Sequence, residues 1–213
     1  MFVLITKAVL AYALGSVSGS LLLGRRGGFD IREAGSGNAG GTNALRTRGW
    51  RFALGVVAID VGKGALAIWL ALLIPTTSSS PGLYTEALAC GFAAVLGHVF
   101  PVYYGFRGGK GAATVVGTIA MLCPLATPPL LLIWLVVLGC TGYVGLATVV
   151  AGVALVPLVW WIAPGTASLH GYALACAGLL LLTHRGNLWR LYHGTENRFE
   201  RARVLARLFV ERR

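Results

Sequence analysis

The 213 residues are 56% hydrophobic and only 12% charged, about half the charged fraction usual for a soluble domain. That balance excludes an ordinary water-soluble enzyme, and apolar runs near bilayer length recur along the chain, so the sequence predicts an all-α polytopic membrane protein. The net charge of +11 comes without a basic patch interleaved with aromatics, which points to orientation and contact with anionic membrane lipids and away from nucleic acid.

The first apolar run, residues 2–23, holds Lys7 near its start and no small-residue cleavage site before a polar region. It reads as a retained span over about residues 4–23, not as a signal peptide. Loop 24–51 follows, with Arg25, Arg26, Arg32, Arg46, Arg48 and Arg51. A second span, about residues 52–74, contains Asp60 and Lys63, and an uncharged Ser/Thr/Pro segment, 75–81, precedes a third span at about 83–100. Loop 103–111 contributes Arg107 and Lys110. The apolar run 112–140 is interrupted by Pro124 and by the pair Pro128-Pro129. A further span, Val144–Ile162, an uncharged turn at 164–168 and a last span ending near Thr183 lead into a tail, 185–213, with eight arginines. The cysteines, Cys90, Cys123, Cys140 and Cys176, lie in or beside apolar runs without metal-ligand spacing and read as small buried hydrophobes; no metal or cofactor is predicted.

Run 112–140 decides the topology. As one straight helix its 29 residues would span ~43 Å at ~1.5 Å per residue, well over the ~30 Å hydrocarbon core, and the proline pair would break it. Read as two short spans turning near Pro128, it gives seven transmembrane helices, with the N-terminus outside and the C-terminus cytoplasmic. Loop 24–51, loop 103–111 and the tail then put 16 of the 18 Lys and Arg residues on the cytoplasmic side, as the positive-inside rule requires. The chain is read as a single integral membrane domain, with residues from about 185 onward forming a basic cytoplasmic tail.

Three polar stretches fall on that side. Residues 35–48 combine Gly35, Gly37, Gly40 and Gly41 with Ser36, Asn38, Thr42, Asn43 and Arg46. Glycines let backbone N–H groups approach an anion, and arginine offers a fork suited to phosphate. The stretch matches G-x-G-x-x-G, with Asp60 twenty residues beyond the last glycine, but the dinucleotide fingerprint needs a strand before it, and here a membrane span precedes. Gly108, Gly109, Lys110 and Gly111 fail the phosphate-loop spacing yet suit an anion just before a helix. His98, before Phe100-Pro101, reads either as a hydrogen-bonded structural residue or as a participant in chemistry. Asp60 and Lys63, three apart on one helical face, should pair with each other within the bilayer or face the protein interior. His184, Asn187 and Arg190 share a face at spacings of three and could supply a general base or donor, an amide and a cation. Residues 198–213 read as an interfacial helix with no site.

Taken in order, Gly15-Ser16, the 35–46 stretch, Asp60 with Lys63-Gly64, Gly97-His98 with Phe100-Pro101, residues 108–111, and His184 with Asn187, Arg190, Gly194 and Glu196 resemble the bacterial acyl-phosphate:glycerol-3-phosphate acyltransferase family over nearly the whole chain. The resemblance implies a seven-span inner-membrane enzyme with a cytoplasmic-facing active site. Such enzymes transfer a fatty acyl group from acyl phosphate to the 1-hydroxyl of glycerol 3-phosphate, giving 1-acylglycerol 3-phosphate for phospholipid synthesis. It implies catalytic roles for Ser36, Lys110, His184 and Asn187. It also implies substrate binding by Gly37, Asn38, Thr42, Asn43, Arg46, His98, Gly108, Gly109, Gly111 and Arg190. One departure stands out: where the family usually has an arginine and a serine before the sixth span, this chain has Gly142 and Gly145. A small-anion transporter and a noncatalytic lipid-binding paralogue are the alternatives.

Overall fold

The computed structural model of the chain describes residues 2–74 and 82–203. Every regular element among them is helical. They form two compact units, Met1–Leu122 and Cys123–Arg213.

In the first unit, α1 (Phe2–Gly15) and α2 (Gly19–Arg26) are bent by 48° at the break between them. α3 (Gly41–Leu73) is interrupted at Gly49, whose φ of 81° and ψ of 178° separate a short polar start from the apolar length. α4 (Leu83–Val99) and α5 (Ala112–Leu122) complete it. Helices in lipid gain little from hiding apolar surface, so they associate through close backbone contact and polar pairing. Both devices are present. A Cβ on Gly15 would land on the Ala94 backbone and one on Gly97 on the Tyr12 carbonyl, which lets α1 and α4 touch; Gly64 and Gly117 do the same for α3 and α5. Lys7, 5% exposed, lies 2.8 Å from the fully buried Glu86 and donates to the carbonyls of Ala71 and Ile74, binding α1 and α4 to the end of α3.

The second unit contains α6 (Thr127–Thr141), α7 (Val144–Ile162) and α8 (Ala167–Tyr192), with short 3-10 turns at Pro124–Ala126 and Glu200–Ala202. Trp134 Nε1 donates to Thr148 Oγ1 at 3.1 Å between α6 and α7. α6 buries only Gly139, and Cys140 on it is exposed, whereas Cys90, Cys123 and Cys176 are buried. The expectation of four buried cysteines therefore fails at Cys140, because its helix presents almost all its surface outward.

Among the described residues, five helices are long and apolar enough to cross a membrane, and the bent pair α1 and α2 makes a sixth if it counts as one span. α5, with 11 residues, reaches only ~16 Å at ~1.5 Å per residue. Two expected boundaries move. Run 112–140 breaks at 123–126 instead of at Pro128, because Pro128 and Pro129 sit in the first turn of α6, where a missing N–H costs nothing. The last helix continues past Thr183 to Tyr192, so His184, Asn187 and Arg190 belong to α8 itself. Segment 75–81 and the tail from residue 204 lie outside the described residues.

Candidate active site

Loop 27–40 of the first unit is shaped by its own side chains. Asp30 caps the short 3-10 turn Ile31–Glu33 by accepting from Arg32 N at 2.9 Å. The Arg32 guanidinium returns to both Asp30 carboxylate oxygens and also donates to the carbonyls of Tyr104, at 2.9 Å, and Arg107, at 3.2 Å. These hydrogen bonds from Arg32 hold the Asp30 carboxyl below its ordinary value and raise the guanidinium, so the pair is a fixed clamp between loops 27–40 and 103–111. Asn43, fully buried near the start of α3, donates to the carbonyls of Ile31 at 3.1 Å and Ala34 at 2.9 Å, and accepts from Ser36 N at 2.9 Å. Asn43 was expected among the substrate ligands. Its amide shapes the loop, both of its polar ends being turned onto the backbone.

The loop so held presents Ser36 and Gly37 exposed, with Asn38 and Thr42 half-buried. Gly35 and Gly37 have φ of 61° and 70°, turns that a side chain at either position would strain. The N–H groups of the first turn of α3 have no helical partner, which suits an anion there. Arg46, one turn further, is half-buried. The second glycine stretch pairs with the end of α4: Gly108 N donates to Val99 O and Gly109 N to His98 O. A Cβ on Gly109 would land on His98 Nε2 and lie 3.0 Å from Ala39 O. The two glycine loops therefore meet at Gly109, with Lys110 half-buried just beyond it and Gly111 leading into α5.

His98 is 3% exposed. Its Nδ1 faces Lys63 Nζ at 2.8 Å and Asp60 at 3.4 Å, and Lys63 and Asp60 lie 3.0 Å apart, as their spacing predicts. His98, expected to bind substrate, lies inside a buried polar cluster behind the Gly109 backbone.

In the second unit, His184 is buried and its Nδ1 donates to Leu180 O at 2.9 Å. A carbonyl can only accept, so the neutral ring has its lone pair on Nε2. Glu196, its side chain 4% exposed, bridges the other two residues of that face, accepting from Asn187 Nδ2 at 2.6 Å and from Arg190 Nε at 2.7 Å. The unusual glycines have packing reasons. A Cβ on Gly145 would lie 2.8 Å from Asn187 Cβ, and one on Gly142, at φ 77°, would meet the stems of Arg203 and Arg198 at 2.9 and 3.0 Å. Residues 198–203 do not form the expected start of an interfacial helix. Phe199 N donates to Gly142 O, and Arg198 Nε donates to Thr141 O while its guanidinium covers the Tyr143 ring.

Among the described residues no group of three or more His, Cys, Asp or Glu side chains is placed to hold a metal. Sequence reasoning missed the Asp30–Arg32 clamp and the Lys7–Glu86 pair. The first was signalled by an Asp two residues before an Arg at a turn, the second by opposite charges in separate apolar runs.

The sequence model of a family described as glycerol-3-phosphate acyltransferase matches residues 5–194. A glycerol-3-phosphate acyltransferase of Azotobacter vinelandii is 41% identical over 194 residues, covering 90% of this chain and 97% of that protein. One of Pasteurella multocida is 40% identical over 190 residues, covering 89% and 90%. The crystal structure of PlsY (YgiH), an integral membrane glycerol 3-phosphate acyltransferase, in its glycerol 3-phosphate form is similar at a TM-score of 0.84 and 32% identity, covering 95% of this chain and 98% of that one. Its lysophosphatidic acid form gives 0.83 and 31% over the same shares.

Proposed function

The chain belongs to the glycerol-3-phosphate acyltransferase family, and from that premise we propose that its acyl donor is acyl phosphate and its product 1-acylglycerol 3-phosphate. The supporting observation is the meeting of two glycine-rich loops at Gly109 and Ala39, one followed by Arg46 and the other carrying Lys110. Such a junction offers backbone N–H groups and two cations to phosphate.

Acyl phosphate is already activated. The 1-hydroxyl oxygen of glycerol 3-phosphate attacks the acyl carbonyl carbon, the carbon–oxygen bond to phosphate breaks, and phosphate leaves with the bonding pair. The protein then has chiefly to place two anions together and screen their repulsion. Ser36, Gly37, Asn38, Thr42, Arg46 and Lys110 are assigned to phosphate binding, and Gly108, Gly109 and Gly111 to the turn that places Lys110, the N–H groups of Gly108 and Gly109 being already given to Val99 O and His98 O. The hydroxyl proton goes to His184 Nε2 or to a substrate phosphate oxygen. Asn187 and Arg190, held by Glu196, support that face of α8. The enzyme is read as a seven-span protein of the bacterial inner membrane, with α5 the shortest span, the N-terminus outside and the active site facing the cytoplasm.

The test is transfer by purified protein in detergent with acyl phosphate and glycerol 3-phosphate, then with acyl-CoA as donor. Arg46→Ala and Lys110→Ala are expected to abolish transfer while the protein still folds. Near-normal rates in both variants remove the assignment. Solute flux into liposomes without any acyl transfer would favour a transporter.

A further inference from the structure

Resting on that reading, we propose that Asp60, Lys63 and His98 are positioning residues for glycerol 3-phosphate: a buried relay that holds the Gly109–Lys110 backbone in its binding geometry without touching substrate. All three are at most 5% exposed, and their polar atoms face one another and the backbone at Val17 and Gly19.

The donor count fixes how the relay works. The Lys63 ammonium has three hydrogens and three acceptors around it: Val17 O at 2.9 Å, Asp60 Oδ1 at 3.0 Å and His98 Nδ1 at 2.8 Å. His98 Nδ1 therefore accepts, and the ring proton sits on Nε2. Asp60 Oδ1 also accepts from Gly19 N at 3.0 Å. The cluster thus joins the α1–α2 break, α3 and the end of α4. Its outer edge is His98, which holds Gly109 twice: its carbonyl accepts from Gly109 N, and its ring occupies the space a side chain there would need. The ring thus lies against the backbone of the residue next to Lys110.

Stability alone does not account for such a cluster. A buried ion pair costs several kcal/mol to desolvate, and apolar residues of similar size are often as stable or more so. What apolar residues cannot supply is a fixed ring orientation.

The experiment uses the full-length protein in detergent. Asp60→Leu with Lys63→Met removes the pair without leaving a lone buried charge. His98→Leu removes the outer edge, and His98→Gln keeps an acceptor for Lys63. The paired variant and His98→Leu are expected to melt near the parent. Their KM for glycerol 3-phosphate should rise about tenfold or more, with kcat within about threefold and KM for acyl phosphate unchanged. His98→Gln is expected to recover most of the difference. A second readout needs no activity: amide hydrogen exchange at 108–111 should accelerate in the first two variants while α3 and α4 stay protected. Should wild-type protein show no transfer, the functional reading fails and exchange alone decides the relay. Unchanged exchange at 108–111, an unchanged KM, or a fall in kcat alone would each overturn it. So would failure of the paired variant and both His98 variants to fold, since the cluster would then be needed for folding itself.

Discussion

Replacing Asn43 by alanine tests whether the phosphate loop is held by a residue that never meets phosphate. The substitution deletes three hydrogen bonds of 2.9–3.1 Å to the 31–36 backbone. At about 1 kcal/mol net each, the loss is about 3 kcal/mol. The Ser36 amide is exposed and regains water, but Ile31, 0% exposed, keeps its carbonyl in a dry site with only the long 3.4 Å bond from Ala34 N, so the cost is little softened there. About 3 kcal/mol is about a hundredfold in the ratio of ordered to disordered loop. If only the ordered loop binds substrate, KM for glycerol 3-phosphate rises by at most that factor, and by less where the wild-type loop has stability in reserve. Asn43→Asp should be worse, because it turns a charged oxygen toward two carbonyl oxygens. Steady-state kinetics and hydrogen exchange over 31–36 read the effect. Wild-type KM and exchange in Asn43→Ala would refute the reasoning.

The Asp30–Arg32 clamp gives a pH dependence. Because the folded Asp30 carboxyl titrates below its ordinary value of 3.8, the clamp's contribution is complete above that value and is lost as pH falls through the depressed one. Protection of loop 27–40 should thus be flat from pH 7 to 5 and fall below about 4, and Asp30→Asn should remove that acid limb, as exchange measured against pH would show. Glu86→Leu leaves Lys7 without its carboxylate and should cost about 3–5 kcal/mol of stability, while adding Lys7→Met restores most of it; thermal unfolding in detergent separates the two. Gly145→Ser forces a Cβ to within 2.8 Å of Asn187 Cβ and should destabilise by about 1–3 kcal/mol and lower activity. A more active serine variant would show that α8 can yield.

The apolar periodicity made most spans legible. Val144–Ile162 was bounded to the residue, because a glycine turn and an uncharged Pro/Gly turn enclose it. Residues 112–140 were read correctly as two helices but broken at the wrong proline. A Pro-Pro pair looks like a breaker until one sees that helix starts tolerate it, whereas the actual break, at 123–126, is marked by the single Pro124. The 35–48 and 108–111 stretches were identifiable because glycines, amides and cations rarely concentrate between apolar runs. Their division into ligands and supports was not identifiable. Asn43 and Asn38 are the same residue type five positions apart, and only burial distinguishes the one that faces the backbone. His98 is a similar case, since its role follows from Lys63, 35 residues earlier.

Gly142 and Gly145 show why position-by-position comparison misjudges this chain. By the resemblance alone, they stand where an arginine and a serine are expected in the turn before α7. In the folded second unit, the missing side chains are the condition for another arrangement. The left-handed residue Gly142 leaves room for the stems of Arg198 and Arg203, and Gly145 lets Asn187 pack flush against α7. Arg198 then bonds Thr141 O from 57 residues further along the chain, and its guanidinium lies 5.2 Å from the Tyr143 ring centroid. A cation has therefore returned to the turn on a different segment, one lying beyond residue 194, where the family match ends. A side chain at Gly142 would collide with Arg198 and Arg203, and one at Gly145 with Asn187, so Gly142 has to be exchanged together with residues 198–203, and Gly145 together with Asn187, for the turn to regain polar side chains of its own.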